Sequence, residues 1–397
     1  MEHSISDRKY ELTKNDKMIP IIMMAIGVVA IIVGFMTDRT RAWAVLLQND
    51  FYFTAISLAS AFFIAFNYAA QAGWAVSIKR VPEAITGFLK YGMTALILIF
   101  LLGHKDLYHW THSELYDKAS PEYDRILAGK SGFLNMPFYI IRLVAYTTIW
   151  VGFSMAFRKH SLQEDADGDV SHYKRCVVLG ATFLVLFAVT SSTSAWDILM
   201  SIDSHWFSTL FGWYTFAGLF VSGLATIAMF VLYLKGRGFM DHVNENHIHD
   251  LGKFMFAFSI FWTYLWFSQF MLIWYANLPE EVVYFQTRWL YYRTMWIGNF
   301  LINFIMPFLV LMTRDAKRQR SVMIVGGIII LFGHWIDVYL MVMPGTVGKT
   351  WHLGFIEFGT MLGFAGLLIW STLTELSKAA VVPQNHPMLQ ESLHHHI

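Results

Sequence analysis

Residues 18–36 read MIPIIMMAIGVVAIIVGFM, a continuous apolar stretch without a charged side chain. A helix needs roughly 20 mostly apolar residues to cross the hydrocarbon core of a bilayer, so this stretch is long enough to span alone. It is too long for the apolar part of a cleavable signal peptide, and it does not alternate as a strand of a membrane barrel would. The stretch therefore predicts a membrane-spanning helix.

Nine further stretches of the same kind follow along the chain. Each is continuously apolar, and helices are favoured because a backbone inside lipid must satisfy its own hydrogen bonds. The sequence therefore predicts an all-α integral membrane protein with about ten spanning helices. The predicted spans are residues 18–36, 51–77, 82–103, 134–157, 173–193, 207–234, 251–277, 289–312, 322–344 and 351–376.

The composition of the chain supports this class of protein. Hydrophobic residues make up 56% and charged residues only 14% of the 397 residues, whereas a typical soluble domain carries roughly 25% charged residues. The formal net charge of +1 gives no reason to expect a nucleic-acid partner. The single cysteine, Cys176, cannot alone ligate an iron–sulfur cluster, form an internal disulfide or anchor a c-type haem.

Lysine and arginine residues in the connecting segments predict the orientation of the chain. The side that holds the N-terminus carries 18 of these residues in its connections and at the adjoining span ends, and the other side carries 8. Because cytoplasmic loops are enriched in lysine and arginine, we expect both ends of the chain in the cytoplasm. The sequence then divides into a cytoplasmic N-terminal segment at 1–17, a transmembrane domain at 18–376 and a polar cytoplasmic tail at 377–397.

Histidine placement argues against a resident haem. The chain has 16 histidines, but only His334 lies deep inside a predicted span. A haem held between two transmembrane helices by histidines needs an axial ligand from each. We therefore expect this chain to bind no metal and no redox cofactor of its own.

Three ionisable residues are predicted to lie in the outer half of the membrane, Arg142, Asp337 and Glu357, and His334 lies deep in the same span as Asp337. Each needs a partner or a wet cavity, because a charged side chain at the bilayer centre costs roughly 2.5–3.5 kcal/mol on insertion scales. His334 and Asp337 are three residues apart and share one helix face. We expect Asp337 and Glu357 to carry protons, with His334 as a relay. Arg142 would be the counter-charge that favours the ionised carboxylates.

Five more polar residues extend this predicted path. Glu83 and Lys90 are seven residues apart on one helix face and would continue it inward. Asp197, Asp203 and His205 would form its outer mouth or, equally, bind partner subunits. An alternative is that the arginine and a carboxylate only hold helices together, since polar contacts between membrane helices are common and individually weak.

Four segments in this order resemble the membrane subunits of alternative complex III, the bacterial quinol:cytochrome c oxidoreductase. The resemblance is greatest to the shorter, ActF-type subunit, which is grouped with the NrfD and polysulfide-reductase membrane anchors, and it covers most of residues 51–376. The segments are LNMPFYIIR at 134–142, SAWDILMSIDSHWFSTLFG at 194–212, WYANLPE at 274–280 and HWIDVYLMVMPG at 334–345.

The resemblance implies an architecture and a set of partners. It implies ten helices, eight of them in two four-helix bundles, in the bacterial cytoplasmic membrane. It also implies contact with a larger NrfD-like paralogue, an iron–sulfur subunit, c-type cytochrome subunits and, in some complexes, a terminal oxidase. Quinol or menaquinol would then be oxidised in the complex, with the haem c groups and iron–sulfur clusters held by the partner subunits.

The chain departs from this family at one position. Segment 77–86, SIKRVPEAIT, aligns by eye with the larger paralogue, whose quinol site would place a histidine near Leu58. Residues 51–77 contain no histidine. Two alternatives stay open: a direct or degenerate quinone site that contacts Arg142 or His334, and a stand-alone transporter. Transporters tend to have internal repeats and broken helices, and the sequence shows neither clearly.

Overall fold

A computed structural model describes residues 8–396, and within that range the chain folds into helices joined by turns. Ten of the described helical segments are long and apolar enough to cross a membrane, which confirms the prediction of an all-α integral membrane protein. We number them α1 to α10 in chain order. Their bounds are Lys14–Thr37, Arg39–Ala69, Val76–Leu107, Met136–Asp167, Val170–Ile202, Leu210–Gly236, Glu245–Ala276, Arg293–Leu311, Arg320–Thr346 and Phe355–Leu376.

The two ends of the described chain lie side by side. Lys9 forms an isolated antiparallel bridge with Ala380, and the backbone N–H of Val381 donates to the carbonyl oxygen of Arg8 at 3.2 Å. An even number of spans returns the chain to the side where it started, so this placement agrees with ten crossings. We call this side of the bundle the termini end and the other side the opposite end.

The spanning helices form two groups of four with a further pair outside. Helices α2 to α5 pack together, α6 to α9 pack together, and α1 pairs with α10. Helices α2 and α6 meet where the two groups join, and 83% and 89% of their most apolar segments are buried inside the protein. A polar side chain on either helix is therefore surrounded by protein rather than by lipid.

Close backbone packing holds α1 against α10. A Cβ atom added to Gly27 would stand only 2.4 Å from the Cα of Gly363, and one added to Gly359 would stand 2.5 Å from the Cβ of Ala30. Small residues allow membrane helices to approach this closely. The rest of α1 is largely exposed, since only 22% of its apolar segment is buried.

The eighth span is irregular and begins later than predicted. Residues 279–291 form a separate helix, Pro279–Tyr291, so the span starts at Arg293 rather than at 289. Residues Leu301–Ile305 are π-helical and end two residues before Pro307. Proline lacks an N–H and its ring crowds the carbonyl four residues earlier, here that of Asn303, which explains the local widening.

The connections at the opposite end contain short helical segments. Residues 194–202 lie in the predicted connection between the spans 173–193 and 207–234, but they continue α5, first as α-helix to Ile198 and then as a 3-10 turn. The continuation places Asp197 inside a spanning helix rather than in a loop. Shorter helical segments are His109–Thr111, Ser113–Leu115 and Arg125–Lys130 at this end, and Ala316–Arg318 at the termini end.

The polar composition of the C-terminal tail and its prolines at 383 and 387 predict an extended segment, but in the structure the tail folds back onto the termini end. It includes a short helix, Leu389–Leu393, and the hydroxyl of Ser392 accepts the backbone N–H of Ser77 at 3.0 Å. The Nε2 atom of His395 lies 2.7 Å from Oδ2 of Asp250 on α7. The tail therefore contacts the starts of both α3 and α7.

We expect the docked tail to loosen as the pH falls below about 6.5. Burial lowers the pKa of His386 from 6.5 to about 2, helped by Lys79 and Arg80 and opposed by Glu83. Because the folded state holds the neutral imidazole, its stabilisation is complete above 6.5 and lost progressively as the pH falls from 6.5 toward 2. At pH 5 the loss is about 2 kcal/mol. The rate of limited proteolysis within residues 377–396, compared at pH 5 and pH 7.5, measures how far the tail loosens.

The variant His386→Phe is the control for this prediction. Phenylalanine keeps a ring of similar size against Tyr173, whose ring centroid lies 5.2 Å away, but it cannot take up a proton. Cleavage of the variant should depend much less on pH. Equal acid-induced cleavage in both proteins would assign the effect to a group other than His386.

Candidate functional site

Asp337 lies inside the second helix group, where three neutral donors surround its carboxylate. Trp262 Nε1 donates to Oδ2 at 3.0 Å, Asn299 Nδ2 donates to Oδ1 at 2.7 Å, and the Tyr214 hydroxyl also donates to Oδ1. Asp337 is 1% exposed. Among residues 8–396, the structure gives it no lysine or arginine ion pair. A carboxylate of α9 thus receives hydrogen bonds from α6, α7 and α8 without a bound cation.

His334 lies one helical turn from Asp337 and is equally buried. Its Nδ1 atom is 3.8 Å from Oδ2 of Asp337, and its ring packs edge-on against Trp262 at 5.2 Å. Within the described chain neither ring nitrogen has a hydrogen-bond partner. A neutral imidazole carries one N–H donor and one acceptor nitrogen, so both are left unused here. The pair is close enough for a slight rotation or one water to connect it.

A small cavity adjoins Asp337 on the side of the opposite end. Its volume is about 20 Å³, which is room for about one water molecule. Gln269 and Arg288 also line it, and Nε2 of Gln269 is buried without a partner among the described residues. A water there would have the polar partners that a buried water needs. Asp337 lies about 14 Å from the end of α9, counting 1.5 Å per residue.

Asp50 on α2 is a buried carboxylate that the sequence analysis did not select. It is 0% exposed, and neither oxygen has a hydrogen-bond partner in the part of the chain that the structure describes. It lies about 16 Å below the start of α2, at a depth similar to that of Asp337. The hydroxyl of Thr54, one turn further along, is also buried and unpartnered. An unpaired charge in such surroundings costs several kcal/mol, so the neutral acid is favoured.

Arg142 pairs with Asp197, not with Asp337 or Glu357 as predicted. Nε donates to Oδ2 at 2.7 Å and Nη2 donates to Oδ1 at 2.8 Å, a bidentate geometry between α4 and α5. Tyr146 adds a third hydrogen bond to Oδ2 at 2.7 Å. The prediction failed because Asp197 was placed in a connection, whereas α5 carries it into the bundle. The pair fits the alternative of an arginine and a carboxylate that hold helices together.

Glu357 pairs with Arg41 at the start of α10. Nε of Arg41 donates to Oε1 at 2.7 Å, and the backbone N–H of Gly354 donates to Oε2 at 2.9 Å. Glu357 is the third residue of its helix, since α10 begins at Phe355 and not at 351. The carboxylate therefore caps the helix N-terminus, where negative charge is favoured. It lies about 3 Å from the helix start rather than deep in the span.

Glu83 belongs to a compact ion-pair network at the termini end. Its Oε2 accepts hydrogen bonds from Arg80 at 2.7 Å and Arg158 at 2.8 Å, and its Oε1 accepts one from Ser161 at 2.6 Å. Arg80 also pairs with Asp165. Two arginines thus hold the Glu83 carboxylate in its ionised form.

Lys90 lies at the edge of this network. Glu83 and Lys90 line the same cavity of about 300 Å³, as predicted from their shared helix face, and Lys159 lines it as well. The amine of Lys90 is 3.4 Å from Glu375, and its side chain is 48% exposed. The two residues therefore flank a polar recess at the termini end without pairing with each other.

Asp203 and His205 lie near the surface of the opposite end, in separate contacts. Asp203 Oδ2 is 3.4 Å from Nη2 of Arg288, and burial raises the pKa of Asp203 although Arg288 opposes the shift. His205 Nε2 is 2.5 Å from Asp124 Oδ2. Burial would raise the pKa of Asp124, but hydrogen bonds from the backbone of Leu127 and from His205 lower it.

The residues predicted to form one cluster are therefore of two kinds, those paired with a cation and those without one. Arg142, Glu357 and Glu83 each belong to an arginine–carboxylate pair. His334 and Asp337 stay together as predicted, and Asp50 joins them as a buried acid with no cation. Within residues 8–396 no arginine or lysine is bonded to His334 or Asp337, which makes this pair the candidate proton carrier.

No family model matches the chain, and a search of curated proteins finds no match.

Proposed function

We propose that this multi-pass membrane protein is a subunit of a quinol:cytochrome c oxidoreductase complex of the bacterial cytoplasmic membrane. It supplies helix packing and a proton-conducting polar path, and it holds no redox centre of its own. The observation that carries the proposal is the His334–Asp337 pair, a buried acid and base 3.8 Å apart with no arginine or lysine bonded to either in the described chain. The sequence resemblance supplies the identity of the complex.

The proposed proton path has two parts, one at each end of the helix bundle. At the opposite end, protons exchange through His334, Asp337 and the water-sized cavity beside Arg288. At the termini end, the polar recess of about 300 Å³ between Glu83 and Lys90 gives water access from that side. Under the proposed orientation these sides face the periplasm and the cytoplasm.

Cavity size favours proton transfer over quinone binding at this pair. Sites for drug-sized molecules typically enclose about 300–1,000 Å³, whereas the cavity next to Asp337 holds about 20 Å³. Arg142, the other residue suggested for a quinone contact, already uses two of its nitrogens on Asp197. A quinone headgroup at either residue would require these packed side chains to move apart.

Isolation of the tagged chain from its native membrane tests the proposal. The chain should co-purify with subunits that bind haem c and iron–sulfur clusters, and the purified complex should reduce cytochrome c with quinol. Reconstituted into vesicles, the complex should release protons on the side of the opposite end. Migration of the chain alone, without haem, would contradict the proposal and support a stand-alone transporter.

A further inference from the structure

A long apolar cavity lies between the α1–α10 pair and helices α2, α6 and α9. Its volume is about 560 Å³. Its wall on α10 runs from Met361 to Leu373, a distance of about 18 Å at 1.5 Å per residue. The remaining walls are formed mainly by apolar side chains such as Ile56, Phe230 and Leu331. The cavity is therefore an elongated slot parallel to the helices.

The slot opens sideways, between α1 and α9. Three of its lining residues are also exposed on the outer surface: Ile19 at 56%, Ile328 at 54% and Phe332 at 39%. These residues belong to spanning helices, so the opening faces the hydrocarbon of the bilayer. A lipid chain can enter from the side without crossing water.

Among the described residues that line the slot, polar side chains next to exposed surface occur only at its termini end. At the termini end, Asp16 and Tyr233 line it, and the Tyr233 hydroxyl donates to Oδ1 of Asp16 at 2.7 Å. Nη1 of Arg237 donates to the Tyr233 hydroxyl at 2.9 Å and is 3.6 Å from Asp16. Further along the slot, the Tyr52 hydroxyl is already bonded to the carbonyl oxygen of Leu331 at 2.7 Å. The slot thus has an apolar body and one polar, solvent-accessible mouth.

We propose that the slot binds a phospholipid with an anionic headgroup, one acyl chain lying in the slot and the phosphate at Arg237. The mouth is rich in positive charge, since exposed Lys14 and Lys17 flank Asp16 on α1. Anionic headgroups are attracted by about 1 kcal/mol per lysine or arginine at a membrane surface. The acyl chain contacts the apolar wall of the slot and fills the space that the side chains leave empty. This inference depends on the membrane fold and not on the proposed redox role.

Native mass spectrometry of the purified protein, alone or with any subunits that co-purify, tests the site. The protein is exchanged into detergent with phosphatidylglycerol or with phosphatidylcholine, and the lipids retained are counted. Wild-type protein should retain one more phosphatidylglycerol than the variant Ala365→Phe, whose larger side chain fills the slot. The variant Arg237→Gln should retain that lipid about fivefold less well.

Matched variants separate the site from general surface charge and from misfolding. Arg175→Gln removes another exposed arginine at the termini end and should leave retention unchanged. Thermal unfolding in detergent checks that Ala365→Phe is folded, and Arg237→Lys should restore retention. Equal retention of phosphatidylcholine, an unaffected count in folded Ala365→Phe, or a quinone retained in place of the phospholipid would each overturn the proposal.

Discussion

Replacement of Asp337 by asparagine is expected to lower quinol-driven proton release by at least about tenfold, because the side chain can no longer take up and release a proton. Asparagine has nearly the same shape, and its oxygen can still accept hydrogen bonds from Tyr214 and Asn299. The hydrogen bond from Trp262 is lost because an amide nitrogen cannot accept it, but the other two should keep the side chain in place. The rate of quinol-driven proton release, measured with a pH-sensitive dye in vesicles that contain the complex, gives the result.

Glu357→Gln is the matched control, since it makes the same change of carboxylate to amide at the same end of the bundle. The sequence analysis gave both residues the same role, but Arg41 fixes Glu357 at a helix start. We expect Glu357→Gln to keep most of the proton release and to lose some thermal stability. Unchanged proton stoichiometry and turnover in Asp337→Asn would remove the proton-path proposal. A loss of equal size in both variants would show that the effect is not specific to Asp337.

The spanning helices were predictable because the bilayer imposes one requirement on every one of them. A continuous apolar run of about 20 residues has few alternatives to a transmembrane helix. Errors arose where polar residues take part in a helix, as at Asp197, which a hydropathy pattern assigns to a connection although α5 continues through it. The tail was misjudged for a related reason, since its contacts with Ser77 and Asp250 come from distant parts of the chain.

Partner choice inside the membrane could not be predicted from the sequence. Periodicity places His334 and Asp337 on one helix face, and the structure keeps them together. Periodicity does not fix the rotation of one helix against another, so the pairing of Arg142 with Asp197 could not be predicted. Asp50 was missed because it precedes an apolar run and was taken for the edge of the span. Its depth follows from α2 beginning at Arg39, eleven residues earlier.

Removal of Arg142 is expected to destabilise the protein more than removal of the whole ion pair. In Arg142→Met, the Asp197 carboxylate stays buried and keeps only the hydrogen bond from Tyr146. Breaking a buried pair in this way typically costs about 3–5 kcal/mol. The double variant Arg142→Met with Asp197→Leu replaces both charges by apolar groups of similar size. Such replacements are often nearly neutral, so we expect it to recover most of the loss.

Unfolding of both proteins in detergent, with increasing denaturant, measures the difference in free energy. A part of the loss will remain in the double variant, because the Tyr146 hydroxyl is left without its acceptor and the guanidinium no longer stacks on Phe133, 4.0 Å from its ring centre. Proton release decides the role of the pair, since an arginine that only holds α4 against α5 can be replaced without affecting proton transfer. A stable double variant that no longer releases protons would instead restore Arg142 to the proton path as the counter-charge predicted from the sequence.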